Sequence, residues 1–130
     1  MFWRKRKYHD RYIGEFTFEN GIWFIDKSIN NKLLLIGIDG SKQKPSQIAL
    51  DQCKSILENI IFYKSDALEF IKTQDILISN NNLIELDGFT SYQEYGIFDI
   101  SFGLSQTKFD TNVIIVHYKN RKPYNISLID

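Results

Sequence analysis

The chain has 130 residues, of which 43% are hydrophobic and 15% aromatic, and this content excludes a disordered chain while the length matches one domain. Sixteen basic residues balance sixteen acidic ones, so the net charge indicates neither a nucleic acid nor a membrane surface as partner. The single cysteine excludes a disulfide framework and a cysteine-rich zinc site, and it is typical of the reducing cytoplasm.

The first eleven residues form a basic segment, called the basic arm below. It contains five cations and one carboxylate, Asp10, and aromatic residues lie among and beside the cations: Arg4, Lys5, Arg6, Lys7 and Arg11, with Phe2, Trp3, Tyr8 and the adjoining Tyr12. No apolar stretch follows, so we expect no export signal, and no apolar run approaches the roughly 20 residues of a membrane-spanning helix. The favoured interpretation is a charged, frayed terminus, and the alternative is a nucleic-acid-binding segment.

Three strands are predicted after the basic arm. Residues 14–19 alternate between apolar and polar, and Asn20-Gly21 is typical of a type I′ turn that leads into a second strand over residues 22–25. The second strand is apolar on both faces, so we expect both faces to be covered. Residues 32–38 form the third strand.

The hydrophobic period then becomes helical. Apolar residues recur every three or four positions at Ala49, Cys53, Ile56, Leu57, Ile60 and Ile61. The polar face of the same segment comprises Gln47, Asp51, Gln52, Lys54, Ser55 and Glu58. A break at residues 64–66, with Ser65 as the new N-cap, begins a second helix that buries Ala67, Leu68 and Ile71. We therefore predict a helix pair over residues 46–73, with Cys53 as a packed, unreactive thiol.

The strand period returns after Gln74. Residues 76–78 and 83–86 flank three asparagines as a hairpin, which Asp87-Gly88 is expected to close, and a loop or short helix follows through Phe89, Tyr92 and Tyr95. Further strands are predicted over residues 98–104, 113–119 and 124–129. The predicted fold is one α+β domain over residues 1–130. Along the chain, three strands are followed by the helix pair and by four or five more strands. The strands form a twisted, mostly antiparallel sheet, and the helices pack on one of its faces.

No catalytic, cofactor-binding or metal-binding motif is visible in the sequence. His9 and His117 do not have the spacing of metal ligands, and we interpret them as ordinary surface or core residues, with a nuclease that uses both as the alternative. Glu85 and Asp87 share a strand face that could hold a cation, but without a third ligand a solvated face is favoured. We therefore expect no enzyme activity, no cofactor and no metal.

The acidic residues are concentrated in one part of the chain. Residues 75–110 contain six acidic residues and one basic residue, Lys108. Aromatic residues among carboxylates suit a protein partner with a basic surface, and an ordinary acidic solvent face is the alternative. The predicted partner-binding residues are Glu85, Asp87, Tyr92, Glu94, Tyr95, Asp99 and Asp110.

Three segments resemble the small immunity proteins that accompany bacterial polymorphic toxins, including those of contact-dependent growth inhibition. They are residues 14–23, 48–71 and 125–130. The resemblance implies a cytoplasmic protein that binds one cognate toxin domain and blocks it by occlusion. Because a nuclease toxin must hold phosphates with a cationic surface, an acidic surface would compete for it. The alternative function is a nucleic-acid-binding or regulatory domain that uses the basic arm.

Overall fold

A computed structural model of the protein describes residues 5–74, 84–104 and 113–129. Its strands are β1 (Lys7–Asp10), β2 (Gly14–Glu19), β3 (Ile22–Ile29), β4 (Lys32–Asp39), β5 (Ile84–Ser91), β6 (Phe98–Leu104), β7 (Val113–Lys119) and β8 (Lys122–Ile129). Its helices are α1 (Gln47–Glu58) and α2 (Ile60–Thr73). The strands form one sheet in chain order, and β4 and β5 are parallel neighbours joined through the segment that contains both helices. The α+β class and the mostly antiparallel sheet are confirmed, although four described strands precede the helices.

Two-residue turns join three of the antiparallel strand pairs. Both central residues have positive φ in Asn20-Gly21, Asn30-Asn31 and Asn120-Arg121, as a type I′ turn requires. Asparagine tolerates this backbone conformation better than most residues because its side chain bonds locally. The Asn20-Gly21 hairpin is therefore confirmed, and the strand it begins continues to Ile29 rather than ending at Ile25.

The core lies between the helices and one face of the sheet. Its largest fully buried side chains are Trp23, Tyr118, Phe16, Phe89, Phe98 and Phe102. Tyr63 of α2 packs edge-on against Phe98 and Tyr118, and the hydroxyl of Tyr118 donates to Asp66 Oδ2 at 2.9 Å. These contacts fix α2 to β6 and β7. Cys53 is buried as expected, and burial raises the pKa of its thiol to about 12.

The break between the helices lies at Asn59, so the predicted break at residues 64–66 is wrong. The backbone N–H of Asn59 donates to the carbonyls of Ser55 and Ile56, and its side chain donates to Ser55 again at 2.8 Å. Its own carbonyl accepts from Tyr63 N in the first turn of α2. One asparagine thus ends α1 and starts α2, while Ser65 lies inside α2.

Two residues of the predicted helix faces are also placed differently. Gln52, assigned to the polar face, is only 4% exposed, whereas Ile61, assigned to the apolar stripe, is 74% exposed. The break at Asn59 lies between α1 and these positions, and Ile60 rather than Ile61 is buried in the first turn of α2. Gln52 is buried because it bonds to the sheet, as described below.

Asp87-Gly88 does not close a hairpin, because β5 passes through both residues. The pairing with β6 shifts between Leu86 and Gly88, which marks a β-bulge, and Phe89 beyond it is buried in the strand rather than in a loop. A Cβ atom on Gly88 would lie 1.9 Å from the carbonyl oxygen of Leu35 on β4. The predicted strand at 76–78 and the asparagine tip lie outside the described residues.

Part of the basic arm is an ordered edge strand rather than a frayed terminus. β1 pairs with β2, and Lys5 and Lys7 lie 3.3 and 3.4 Å from the carboxylates of Glu19 and Glu15. At its end, Asp10 Oδ2 accepts hydrogen bonds from the N–H groups of Tyr12 and Ile13, both at 2.9 Å. Asp10 Oδ1 lies 3.1 Å from Lys54 Nζ, so an ion pair joins this turn to α1.

Gly88→Ala is expected to destabilise the protein by about 3 kcal/mol, because the new methyl group would overlap the backbone of β4. Gly103→Ala is the matched control, since a Cβ at that strand position has nothing within 4 Å. Urea unfolding of both variants measures the difference. Equal stabilities would contradict the close approach of β4 and β5.

The Asp10–Lys54 pair is expected to make stability depend on pH in the acid range. Burial alone would raise the pKa of Asp10, but the N–H donors of Ile13 and Tyr12 and the Lys54 ammonium together lower it. A lowered pKa in the folded state stabilises the protein above the ordinary value of 3.8, and this stabilisation is lost as the pH falls through the folded-state pKa. Wild type should therefore exceed Asp10→Asn in stability at neutral pH, and the difference should shrink in acid.

Thermal unfolding between pH 7 and about pH 2.5 measures this difference. Asp51→Asn removes an exposed carboxylate from the helix that carries Lys54 and is the matched control. If the difference in stability between wild type and Asp10→Asn stays constant over this pH range, the Asp10–Lys54 pair does not make stability depend on pH.

Candidate functional site

One face of the sheet packs on the helices, and no other described residue covers the opposite face, called the open face below. Phe24 is half-buried there, and Leu33 and Leu35 are 63% and 48% exposed. The sequence predicted that both faces of the second strand, now β3, are covered. The helices cover the face that carries Trp23, and the face that carries Phe24 stays open. Together with Lys5, Lys7, Glu15 and Asp26, Phe24 and Leu35 line a shallow concavity of about 570 Å³. An apolar floor with a charged rim is a surface that suits protein side chains.

The predicted partner-binding residues lie at two ends of β5. Glu85 and Asp87 are exposed near its start, where Lys32 Nζ lies 2.6 Å from Glu85 and, through this hydrogen bond and its charge, lowers the pKa of that carboxyl. Tyr92, Glu94 and Tyr95 follow its other end. Glu85 and Tyr92 are seven positions apart in the chain, or roughly 23 Å along an extended strand. Asp110 lies outside the described residues.

Four side chains form a hydrogen-bonded chain across β6, β7 and β8 on the open face. Tyr92 donates from its hydroxyl to Asp99 Oδ2 at 2.6 Å, and His117 Nδ1 lies 2.7 Å from Asp99 Oδ1. His117 Nε2 lies 2.6 Å from the hydroxyl oxygen of Ser127. Burial and the Asp99 carboxylate raise the pKa of the Tyr92 phenol. Asp99 therefore uses both oxygens within the protein.

Sequence reasoning placed Asp99 in a partner surface and missed its contact with His117, which in turn contacts Ser127. Alternation along each strand puts Asp99 and His117 on the face opposite the buried Phe98 and Tyr118, which was a usable signal. The register that sets Asp99 opposite His117 comes from tertiary pairing, and the local pattern does not contain it.

The turn between β5 and β6 carries Tyr95, which is 63% exposed, and the exposed Glu94. This turn is fixed by Gln52 of α1. The side-chain oxygen of Gln52 accepts from Gly96 N at 2.7 Å, and its amide donates to the Ile97 carbonyl at 2.8 Å and to the Ser91 hydroxyl at 3.1 Å. The described segment 84–104 around it contains four acidic residues and no basic one.

A second contact holds the same turn from the side of the β7–β8 hairpin. The backbone N–H of Arg121 donates to the carbonyl of Gly96 at 3.1 Å. Gly96 has a φ of 87°, a conformation that favours glycine, and a Cβ there would lie 3.1 Å from the Cα of Asn120. The turn therefore has contacts to a helix and to a neighbouring hairpin.

The described part of the chain contains neither a metal-binding cluster nor a membrane-spanning helix. Among residues 5–74, 84–104 and 113–129, no group of three or more His, Cys, Asp or Glu side chains could hold a metal ion. Neither described helix is long and apolar enough to cross a membrane. Two described cations of the basic arm, Lys5 and Lys7, lie beside carboxylates, which reduces the positive charge that these two residues offer to phosphates.

Comparisons with known proteins give no match: no family model, no curated protein and no solved structure is significantly similar to this chain.

Gln52→Leu is expected to cost about 2–4 kcal/mol in the free energy of unfolding, because it removes three hydrogen bonds and leaves buried polar groups without partners. It should also speed hydrogen exchange at the Gly96 amide. Gln47→Leu, at an exposed position of the same helix, is the matched control and should change stability by under about 0.5 kcal/mol. Unchanged exchange at Gly96 would show that Gln52 does not hold the turn.

Proposed function

We propose that this protein is an immunity-type inhibitor that binds one cognate toxin domain with a cationic surface, such as a nuclease, and blocks it by occlusion. The observation that carries the proposal is the β5–β6 turn. It presents an exposed aromatic side chain, Tyr95, next to an exposed carboxylate, Glu94, on a backbone that Gln52 and Arg121 hold in place.

Rigidity of this turn favours binding because little conformational entropy is then lost in the complex. Ordering a flexible segment costs free energy that the interface must offset, whereas a turn already fixed in the free protein avoids most of that cost. Tyrosine is also among the residues that most often dominate binding energy, because it supplies a large, stiff contact area with one polar group. Tyr95 is thus the proposed anchor.

Charge complementarity identifies the chemistry of the partner. The segment 84–104 bears four carboxylates without a basic residue; Asp87 and Glu94 are exposed, and Glu85 is exposed but paired with Lys32. A negative surface attracts a cationic one and speeds association. Nucleases need cationic surfaces to hold phosphates, so an acidic protein surface can occupy the same place.

The two ends of β5 can belong to one interface. A standard protein interface buries about 800 Å² on each partner, which corresponds to a patch roughly 30 Å across. Glu85 and Tyr92 are roughly 23 Å apart along the strand, so a single partner can cover both. Asp99 faces the same side, but its carboxylate is already bonded to Tyr92 and His117. It contributes to the field of this surface rather than to a direct ion pair.

The test uses the toxin domain encoded beside the gene for this chain, with binding measured by surface plasmon resonance. Tyr95→Ala is expected to speed dissociation at least tenfold with little change in association, because it removes a contact made only in the complex. The double variant Glu85→Lys, Glu94→Lys should slow association and weaken its dependence on salt.

Matched controls lie elsewhere on the molecule. Tyr12→Ala alters a tyrosine that is 74% exposed at the β1–β2 turn, and Glu58→Lys reverses an exposed charge on α1. Neither should alter the binding rates. Toxin binding that is unaffected by the Tyr95 and Glu85/Glu94 variants would move the interface elsewhere. Retention of DNA that depends on Lys5 and Lys7 would instead support the nucleic-acid alternative.

A further inference from the structure

The proposed inhibitor function does not use one arrangement on the open face, in which a serine is hydrogen-bonded to a histidine and the histidine to an aspartate. We propose that Ser127 is an activated nucleophile that accepts acyl groups from esters or thioesters with short aliphatic chains, with His117 as its base and Asp99 as a positioning residue. This departs from the expectation that the chain has no catalytic groups, and it does not depend on toxin binding.

The hydrogen-bonding chemistry of the three groups assigns the protons. A carboxylate only accepts hydrogen bonds, so His117 Nδ1 carries the proton that it donates to Asp99 Oδ1 over 2.7 Å. In the neutral ring, Nε2 then has a free lone pair and accepts from the hydroxyl of Ser127 over 2.6 Å. A serine hydroxyl that donates to such a nitrogen is poised to lose its proton as it attacks.

The sheet holds these groups in place before any substrate binds. Asp99 and His117 are directly opposite each other on β6 and β7, and Ser127 lies on β8 opposite Ile115, two residues before His117. Tyr92 holds the second oxygen of Asp99, so the carboxylate cannot rotate freely. Groups placed by neighbouring strands and a second ring of hydrogen bonds meet the requirement for preorganisation.

These hydrogen bonds are not explained by a need to give buried polar groups a partner. The side chains of His117 and Asp99 are 24% and 18% exposed, and Ser127 is half-buried, so water can reach each group. None of the three would be left without a partner in the absence of the others. The same exposure lets a small substrate approach Ser127 from the open face.

Residues beside Ser127 indicate the substrate class. Its cross-strand partner is Ile115, and the next pair on the same face is Val113 with Ile129. An aliphatic acyl chain can pack on these three side chains. Asn125 is paired with His117 on this face, and its amide group is a suitable donor for the carbonyl oxygen of the substrate.

The reaction balances without a cofactor. Ser127 Oγ attacks the acyl carbonyl carbon while its proton passes to His117 Nε2. The bond from that carbon to the alcohol oxygen or thiol sulfur breaks, and His117 returns the proton to the leaving group. Water then attacks the acyl-Ser127 ester with His117 again as base, which releases a carboxylic acid and restores Ser127.

The first experiment treats the purified full-length protein with p-nitrophenyl butyrate and follows p-nitrophenolate release, with the acylated residue mapped by mass spectrometry. We expect acylation at Ser127 and release at least tenfold faster than in Ser127→Ala or His117→Ala. Ser101→Ala, which changes another serine of the open face on β6, should match wild type. Release by wild type no faster than by Ser127→Ala would overturn the proposal.

A second measurement separates positioning from folding. A fluorophosphonate probe should label Ser127 in wild type, and Asp99→Asn should lower the maximal labelling rate about tenfold while leaving the concentration for half-maximal rate unchanged. If Asp99 had only a structural role, an Asp99→Asn variant with the melting temperature of wild type would keep the maximal labelling rate of wild type. Because site mapping in wild type needs no variant, labelling of Ser127 no faster than of Ser101 would contradict the proposal even if the variants fail to fold.

Discussion

The parallel pairing of β4 with β5 determines how the whole molecule is arranged. Parallel neighbours need a long connection, and here both helices supply it and pack on one face of the sheet. The pairing requires Gly88, because any Cβ there would overlap the carbonyl of Leu35. The β-bulge at this glycine keeps β5 continuous, with Phe89 and Ser91 buried toward the helices. Because both helices lie on one side of the sheet, the described residues of the open face are not covered by them.

Buried polar contacts then connect α1 to the β5–β6 turn, which carries the proposed binding surface. Ser91 donates to the Ala49 carbonyl and accepts from Gln52, and Gln52 in turn holds the β5–β6 turn. A buried amide with every hydrogen bond made adds specificity to a core, whereas the same group left without partners would destabilise it. The position of Tyr95 on the surface therefore depends on a residue of α1 that is over forty positions away in the chain.

The sequence predicted those features that depend on local chemistry. The Asn20-Gly21 hairpin, the helical block and the alternating strand over residues 98–104 follow from turn preference and period, and the structure contains all three. Features that depend on distant contacts were missed. Gln52 seemed polar by type, yet hydrogen bonds from another element bury it. Asp87-Gly88 seemed a turn, yet strand pairing on both sides overrides that preference. The alignment of Asp99 with His117 likewise depends on register.

The two proposals assign the acidic residues of the open face to different roles. A carboxylate contributes to a partner's ion pair only if it is free to bond, and Glu94, exposed on its turn, meets that condition. Asp99 does not, because both of its oxygens are already bonded to Tyr92 and His117. A toxin domain seated on the β5–β6 turn would reach the edge of this hydrogen-bonded chain at Tyr92. Because Ser127 lies on β8, three strands from β5, occupation of the turn would leave the residues proposed to activate it in place.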